Sequence, residues 1–118
     1  MTTVSKQIQP DNSYLVRQEL RYYDDATNCY ELWTEQDATV TFAEDAEGNT
    51  PIATLDGLVM SEAENHPGVY FLVVHAPLLQ PALTPYVGQT IYQIVTAGAF
   101  NDLRVVTPLV VTEPRYAQ

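Results

Sequence analysis

The side chains able to act as nucleophile, base or metal ligand are few and scattered. There are two histidines. His66 stands in the turn-like run His66-Pro67-Gly68 and His75 at the end of an apolar run, and both read as structural. Cys29 is the only cysteine, so no disulfide can close within the chain. No histidine or basic residue lies near it in sequence to lower its thiol pKa, and it reads as a small core or strand residue. No serine stands in a nucleophile-elbow pattern, five glycines make no phosphate-binding loop, and no Cys/His spacing suits zinc. Asp45, Glu47 and Asn49 alternate around Gly48 and echo a calcium loop, but the Glu that closes that pattern is missing. Paired carboxylates for glycoside hydrolysis need a cleft that so small a β domain seldom supplies. The residue set therefore predicts no catalytic residue, no cofactor and no metal, and a protein that is not an enzyme.

The charge balance narrows the partners. Five basic residues face 15 acidic ones among 118, for a net charge of −10. No Lys or Arg occurs between Tyr22 and Leu103, a stretch that holds Asp24, Asp25, Glu31, Glu35, Asp45 and Glu64 among its acids. Like-charge repulsion sets such a surface against phosphate backbones and anionic membranes, so neither nucleic acid nor membrane is an expected partner. Two readings of the acidity remain: a solvated surface that resists aggregation, and a match for a basic patch on a partner. The length fits one domain able to bury its own core. No apolar run approaches the ~20 residues of a spanning helix. Residues 1–11 are polar, unlike a signal peptide, which leads to an expectation of folding in a cytoplasm.

The elements that must position any site read as strands. Eight prolines punctuate the chain too often for long helices, and Val, Thr and Tyr are abundant. Alternation predicts strands near residues 14–23, 30–34, 38–42, 51–55, 69–76, 90–96 and 103–111. In the first, Tyr14, Val16, Leu20 and Tyr22 share one face and Arg17, Glu19 and Arg21 the other. An acidic turn over residues 44–49, with Gly48 left-handed, predicts a hairpin from 38–42 into 51–55. Residues 58–60 extend that strand or begin another after the Asp56-Gly57 turn. Residues 69–76 are apolar on both faces, which predicts a central strand or a covered outer face. Val40, Phe42, Tyr70, Leu72, Val74, Tyr92 and Ile94 are the expected core, and residues 97–102 a hairpin loop. Arms over 1–13 and 112–118 flank a domain over 14–111. The predicted fold is all-β: an antiparallel immunoglobulin-like β-sandwich of about seven strands, without the Cys…Trp…Cys pattern of antibody domains. Trp33 is expected in the core or at an interface.

Residues 77–88 read as a loop, yet an apolar one. Pro77, Pro81 and Pro85 alternate with Leu78, Leu79, Leu83, Tyr86 and Val87. Such a loop either caps the core or docks on a partner. The docking reading makes Leu78, Leu79, Leu83 and Tyr86 interface residues, joined by Phe71 and Val73 on the outer face of the strand at 69–76.

Ala38-Thr39-Val40-Thr41-Phe42, the turn Asp45-Ala46-Glu47-Gly48-Asn49 and Ile52-Ala53-Thr54-Leu55 resemble a recurring hairpin of small immunoglobulin-like virion proteins of tailed bacteriophages. His66-Pro67-Gly68-Val69-Tyr70 resembles the entry to their central strand. Gly88-Gln89-Thr90-Ile91-Tyr92, Leu103-Arg104-Val105-Val106 and Pro108-Leu109-Val110-Val111 resemble their closing hairpin. The likeness spans residues 34–111 and its cues are shared with immunoglobulin-like sandwiches in general. It implies a virion structural protein, folded in the host cytoplasm, that docks on the head–tail neck or the capsid. Its partners would be capsid, portal or connector proteins and further copies of itself. Capsid decoration is one alternative. A stand-alone carbohydrate-binding module is another, in which Trp33 and the tyrosines form a stacking platform. A coplanar aromatic strip would favour the carbohydrate binder, and a large apolar patch the virion protein.

Overall fold

Alternation places Ala38, Val40 and Phe42 on one side of their strand, and all three are buried, with Thr39 and Thr41 half-buried between them. A computed structural model describes residues 6–98 and 103–113 of the chain. Within them lie β1 (Gln7–Ile8), β2 (Tyr14–Glu19), β3 (Arg21–Asp24), β4 (Cys29–Leu32), β5 (Ala38–Ala43), β6 (Leu58–Val59), β7 (Ser61–Glu62) and β8 (Val69–Val74). After β8 come helix α1 (Ala76–Leu83), a 3-10 turn (Thr84–Tyr86), β9 (Thr90–Ala97) and β10 (Leu103–Val111).

The fold is all-β with one short helix. A five-stranded sheet runs β1-β10-β9-β5-β6, a three-stranded sheet runs β2-β8-β7, and β3 and β4 pair only with each other. β9 is antiparallel to both β5 and β10, and β1 joins β10 in parallel. Pro108 is tolerated in β10 because β1 reaches only Val110 and Val111, leaving the side of the strand at Pro108 without a ladder to break. Val16, Tyr70 and Val74 of the three-stranded sheet share one core with Val40, Phe42, Ile91, Val95 and Leu109 of the five-stranded sheet. Met60 is the corner between the sheets: β6 pairs with β5, β7 pairs with β8, and the Met60 amide donates to the Ala38 carbonyl at 2.9 Å.

Several expectations need correction. The strand expected over 14–23 divides at Leu20, whose amide turns to the Gly68 carbonyl (2.8 Å) while its own carbonyl accepts the Trp33 amide (2.9 Å). That exchange releases β3 from β8 into a hairpin with β4. Residues 51–55 form no strand. Pro51 makes one bridge to Ala43, Thr54 has a φ of 71°, and Ile52 and Leu55 fold in as a buried plug. The strand beside β5 is therefore β6, with Thr39 opposite Val59. β9 faces opposite to expectation: Ile91, Val95 and Ala97 join the core, while Tyr92 is half-buried and Ile94 is buried on the other side of the strand. Buried Gln93 disguises the inward face by placing a polar side chain in its middle. Residues 7–8 of the N-terminal arm are docked, with Ile8 buried. The loop expected over 97–102 falls mostly outside the described residues, as do residues 114–118 of the tail.

The largest correction is α1, which occupies the expected loop. Pro77 sits in the first turn, where its missing N–H costs nothing. The Ser13 hydroxyl accepts the Ala76 amide at 3.0 Å, so the helix start is satisfied from a distant segment. Leu79 and Leu83, one turn apart, are fully buried, whereas Leu78 is 37% exposed. Packing of that pair, not propensity, holds an eight-residue helix that contains Pro81.

Three substitutions test these assignments. Leu79→Ser should cost about 3 kcal/mol or more of unfolding free energy, and Leu78→Ser less than about 1 kcal/mol, by urea denaturation. Gly48 has a φ of 78°, and an added Cβ would lie 3.1 Å from Ile94 Cδ1. Gly48→Val should therefore lose about 1–2 kcal/mol, seen as a lowered melting temperature.

Candidate interaction surface

β8 is apolar on both faces, β2 adds Leu15 to an otherwise polar outer face, and only one face of the sheet can join the core. Register places Leu15 opposite Val73 and Arg17 opposite Phe71, all on the outer face. Leu15 is 52% exposed, Val73 42% and Phe71 38%. Val73 also lines a shallow cleft of about 170 Å³ with Leu58, Val59, His75 and Leu78. Val59 and Leu78 thus extend the apolar strip at one end. β8 is the middle strand of its sheet, but β7 covers only its edge at Tyr70 and Phe71, not its outer face.

The expected interface residues separate into three groups. Phe71, Val73 and Leu78 belong to the exposed strip. Leu79 and Leu83 are enclosed by their own chain and offer no surface to a partner. Tyr86 is half-buried in a different cleft, beside Ile52, Pro81 and Pro85. Its hydroxyl donates to Glu44 Oε2 at 2.9 Å, and this bond to a carboxylate pushes the phenol pKa up. Leu15 and Val59 were missed by sequence reading, although Leu15 stands in strict alternation with Arg17 and Glu19.

A second exposed surface is the β3–β4 hairpin. Asp24 Oδ1 accepts the Ala26 amide at 2.9 Å, an Asx-type turn, and Asn28 takes the left-handed conformation at φ 57°. Tyr23 and Tyr30 are paired across the strands, with ring centroids 5.2 Å apart at 72°. Tyr22 meets Trp33 at 6.3 Å and 53°. The hairpin root is pinned from the three-stranded sheet. Glu62 accepts the Glu35 amide (2.9 Å) with one oxygen and the Gly68 amide (2.8 Å) with the other. The Tyr70 hydroxyl donates to the Trp33 carbonyl at 2.8 Å and accepts the Gln36 amide at 3.0 Å. Gly68, at φ 83°, lets Leu32 approach so closely that an added Cβ would stand 3.0 Å from Leu32 Cβ. Cys29 is in a strand, as expected, but exposed.

The ionisable groups are arranged for structure. Both Asp45 carboxylate oxygens accept loop amides, from Asn49 at 3.0 Å and Thr50 at 2.9 Å. Among the described residues no three His, Cys, Asp or Glu side chains group to hold a metal ion. Tyr14 sets its ring edge against Phe42, centroids 6.4 Å apart, and burial pushes its phenol up to about 12.

The hydrogen bonds from Asn49 and Thr50 hold the Asp45 carboxyl below the ordinary aspartate range. A folded-state pKa below the unfolded one gives stability that is present above the unfolded value and lost as pH falls through the folded one. Carboxyl-detected NMR should therefore place the Asp45 midpoint below about 3.9, the ordinary aspartate value. Comparison with protein-family models, with curated proteins and with solved structures finds no match for this chain.

Proposed function

We propose that this chain is a non-enzymatic structural protein of a tailed-phage virion, with an immunoglobulin-like β-sandwich body. It docks on the head–tail neck or the capsid by protein–protein contacts. The observation that carries this reading is the exposed apolar strip of Leu15, Phe71, Val73, Val59 and Leu78 on a rigid sheet face. Exposed apolar area costs about 25 cal/mol per Å², so a strip of this kind gains by being covered. The role implied is assembly with capsid, portal or connector subunits and with further copies of the chain; capsid decoration is the nearest variant of it.

The exposed tyrosines Tyr22, Tyr23 and Tyr30 favour a second reading, a carbohydrate-binding module. Sugar rings stack best on flat, coplanar platforms. Interplanar angles of 72° and 53° in the two aromatic pairs weigh against it.

Native mass measurement tests the first reading. The purified chain, mixed with candidate neck and capsid subunits, should form defined assemblies. Leu15→Glu with Val73→Glu should abolish them while leaving the circular dichroism and melting curve close to wild type. A chain that stays monomeric with every such subunit, or assemblies indifferent to that double substitution, would overturn the reading.

A further inference from the structure

The hairpin of β3 and β4 is a two-stranded sheet, so its two outer edges carry backbone groups without a sheet neighbour among the described residues. Aromatic side chains crowd it. Tyr30 is 67% exposed and Tyr23 49%. Tyr22, Tyr23, Tyr30 and Trp33, with Arg21 and Leu103, line a cleft of about 480 Å³. The next residue along the chain, Thr34, opens a second cleft of about 540 Å³ with Glu35, Glu62, Glu64 and Pro67. Aromatic and acidic surfaces thus adjoin. Among the described residues the one cation lining them, Arg21, is already matched by Glu19 at 2.7 Å.

We propose that these two clefts form one docking surface for an extended Lys- and Arg-bearing segment of a partner protein. Charge complementarity selects that occupant. Asp24, Asp25 and Glu31 belong to the same hairpin as the tyrosines, Glu35 and Glu64 line the second cleft, and the stretch from Tyr22 to Leu103 contains no Lys or Arg. Ring faces attract ammonium and guanidinium groups, and the carboxylates supply the counter-charge. Open strand edges supply main-chain partners to an extended backbone. A second copy, at −10, brings the same sign of charge and is disfavoured. The tilted rings disfavour a glycan. That the partner is a virion subunit rests on the preceding proposal; that it presents a basic segment does not.

The test is fluorescence anisotropy on the full chain with two labelled eight-residue peptides, one alternating Lys and Val, the other Glu and Val. The Lys peptide should bind, more weakly as salt is raised, and the Glu peptide should not. Tyr23→Ala with Tyr30→Ala should weaken binding about tenfold, as two exposed cation–π contacts would. Glu31→Gln with Glu35→Gln should weaken it similarly, and decides the matter if the tyrosine variant fails to fold. Leu15→Glu with Val73→Glu should leave peptide affinity unchanged, which separates this surface from the apolar strip. Equal affinity for both peptides, affinity unchanged in a folded Glu31→Gln/Glu35→Gln variant, or a hexasaccharide that binds where the Lys peptide does not would overturn the proposal.

Discussion

The phenol of Tyr70 joins the β3–β4 hairpin to the core sheets. Its ring is the largest fully buried side chain among the described residues and stands in the core between the sheets. Its hydroxyl emerges at the root of the β3–β4 hairpin, donating to the Trp33 carbonyl and accepting the Gln36 amide. One side chain thereby satisfies two backbone groups at the point where the chain leaves the core sheets and returns. Burial raises the Tyr70 pKa, so the neutral phenol able to donate that hydrogen bond is the form the fold holds. A phenylalanine there would keep the packing and lose the joint, leaving two backbone groups without their partner.

The aromatic hairpin depends on this joint for a general reason. Two strands alone are marginal in water, because neither face is covered. Here Leu32 packs against Gly68, Glu62 bridges the Glu35 and Gly68 amides, and Tyr70 holds the exit strand. All three anchors lie at the root. Among the described residues nothing comparable holds the tip, where Tyr23 bonds Asn28 within the hairpin itself. The tyrosines are therefore ordered by their own pairing and remain open to solvent.

Much of this architecture is legible in the sequence where one face of an element is apolar and the other polar. β5 and β10 lie where alternation puts them, the inward side of β8 is as read, and Gly48 is left-handed as its turn requires. Legibility fails where local pattern and tertiary environment disagree. Gln93 sits on the buried face of β9, where its side-chain oxygen has no partner among the described residues, so a polar residue reversed the apparent phase. In α1 two prolines, Pro77 and Pro81, within eight residues look like a loop, and only burial of Leu79 and Leu83 in the core makes the helix. Residues 52–55 have strand-like composition, but positive φ at Thr54 turns them back into the core. For the surfaces, Phe71 and Val73 were readable because both faces of their strand are apolar. The hairpin tyrosines were not, because composition cannot say whether an aromatic ring faces the core or water.

The two exposed surfaces differ in the physics by which they can be covered. The strip on β2 and β8 is apolar, bordered by Arg17 and Glu19 of opposite sign, and so nearly neutral in its immediate surroundings. Covering it gains through burial, which salt does not screen and which is indifferent to the partner's charge. The hairpin is aromatic within a field of carboxylates, so a partner is chosen there by charge sign and weakened by salt. A protein carrying both can hold one neighbour by area and recognise another by charge. The charge distribution keeps the two surfaces apart, because the acids that would draw a cationic segment lie at the hairpin and its root, and the apolar strip that would draw a flat surface lies on β2 and β8.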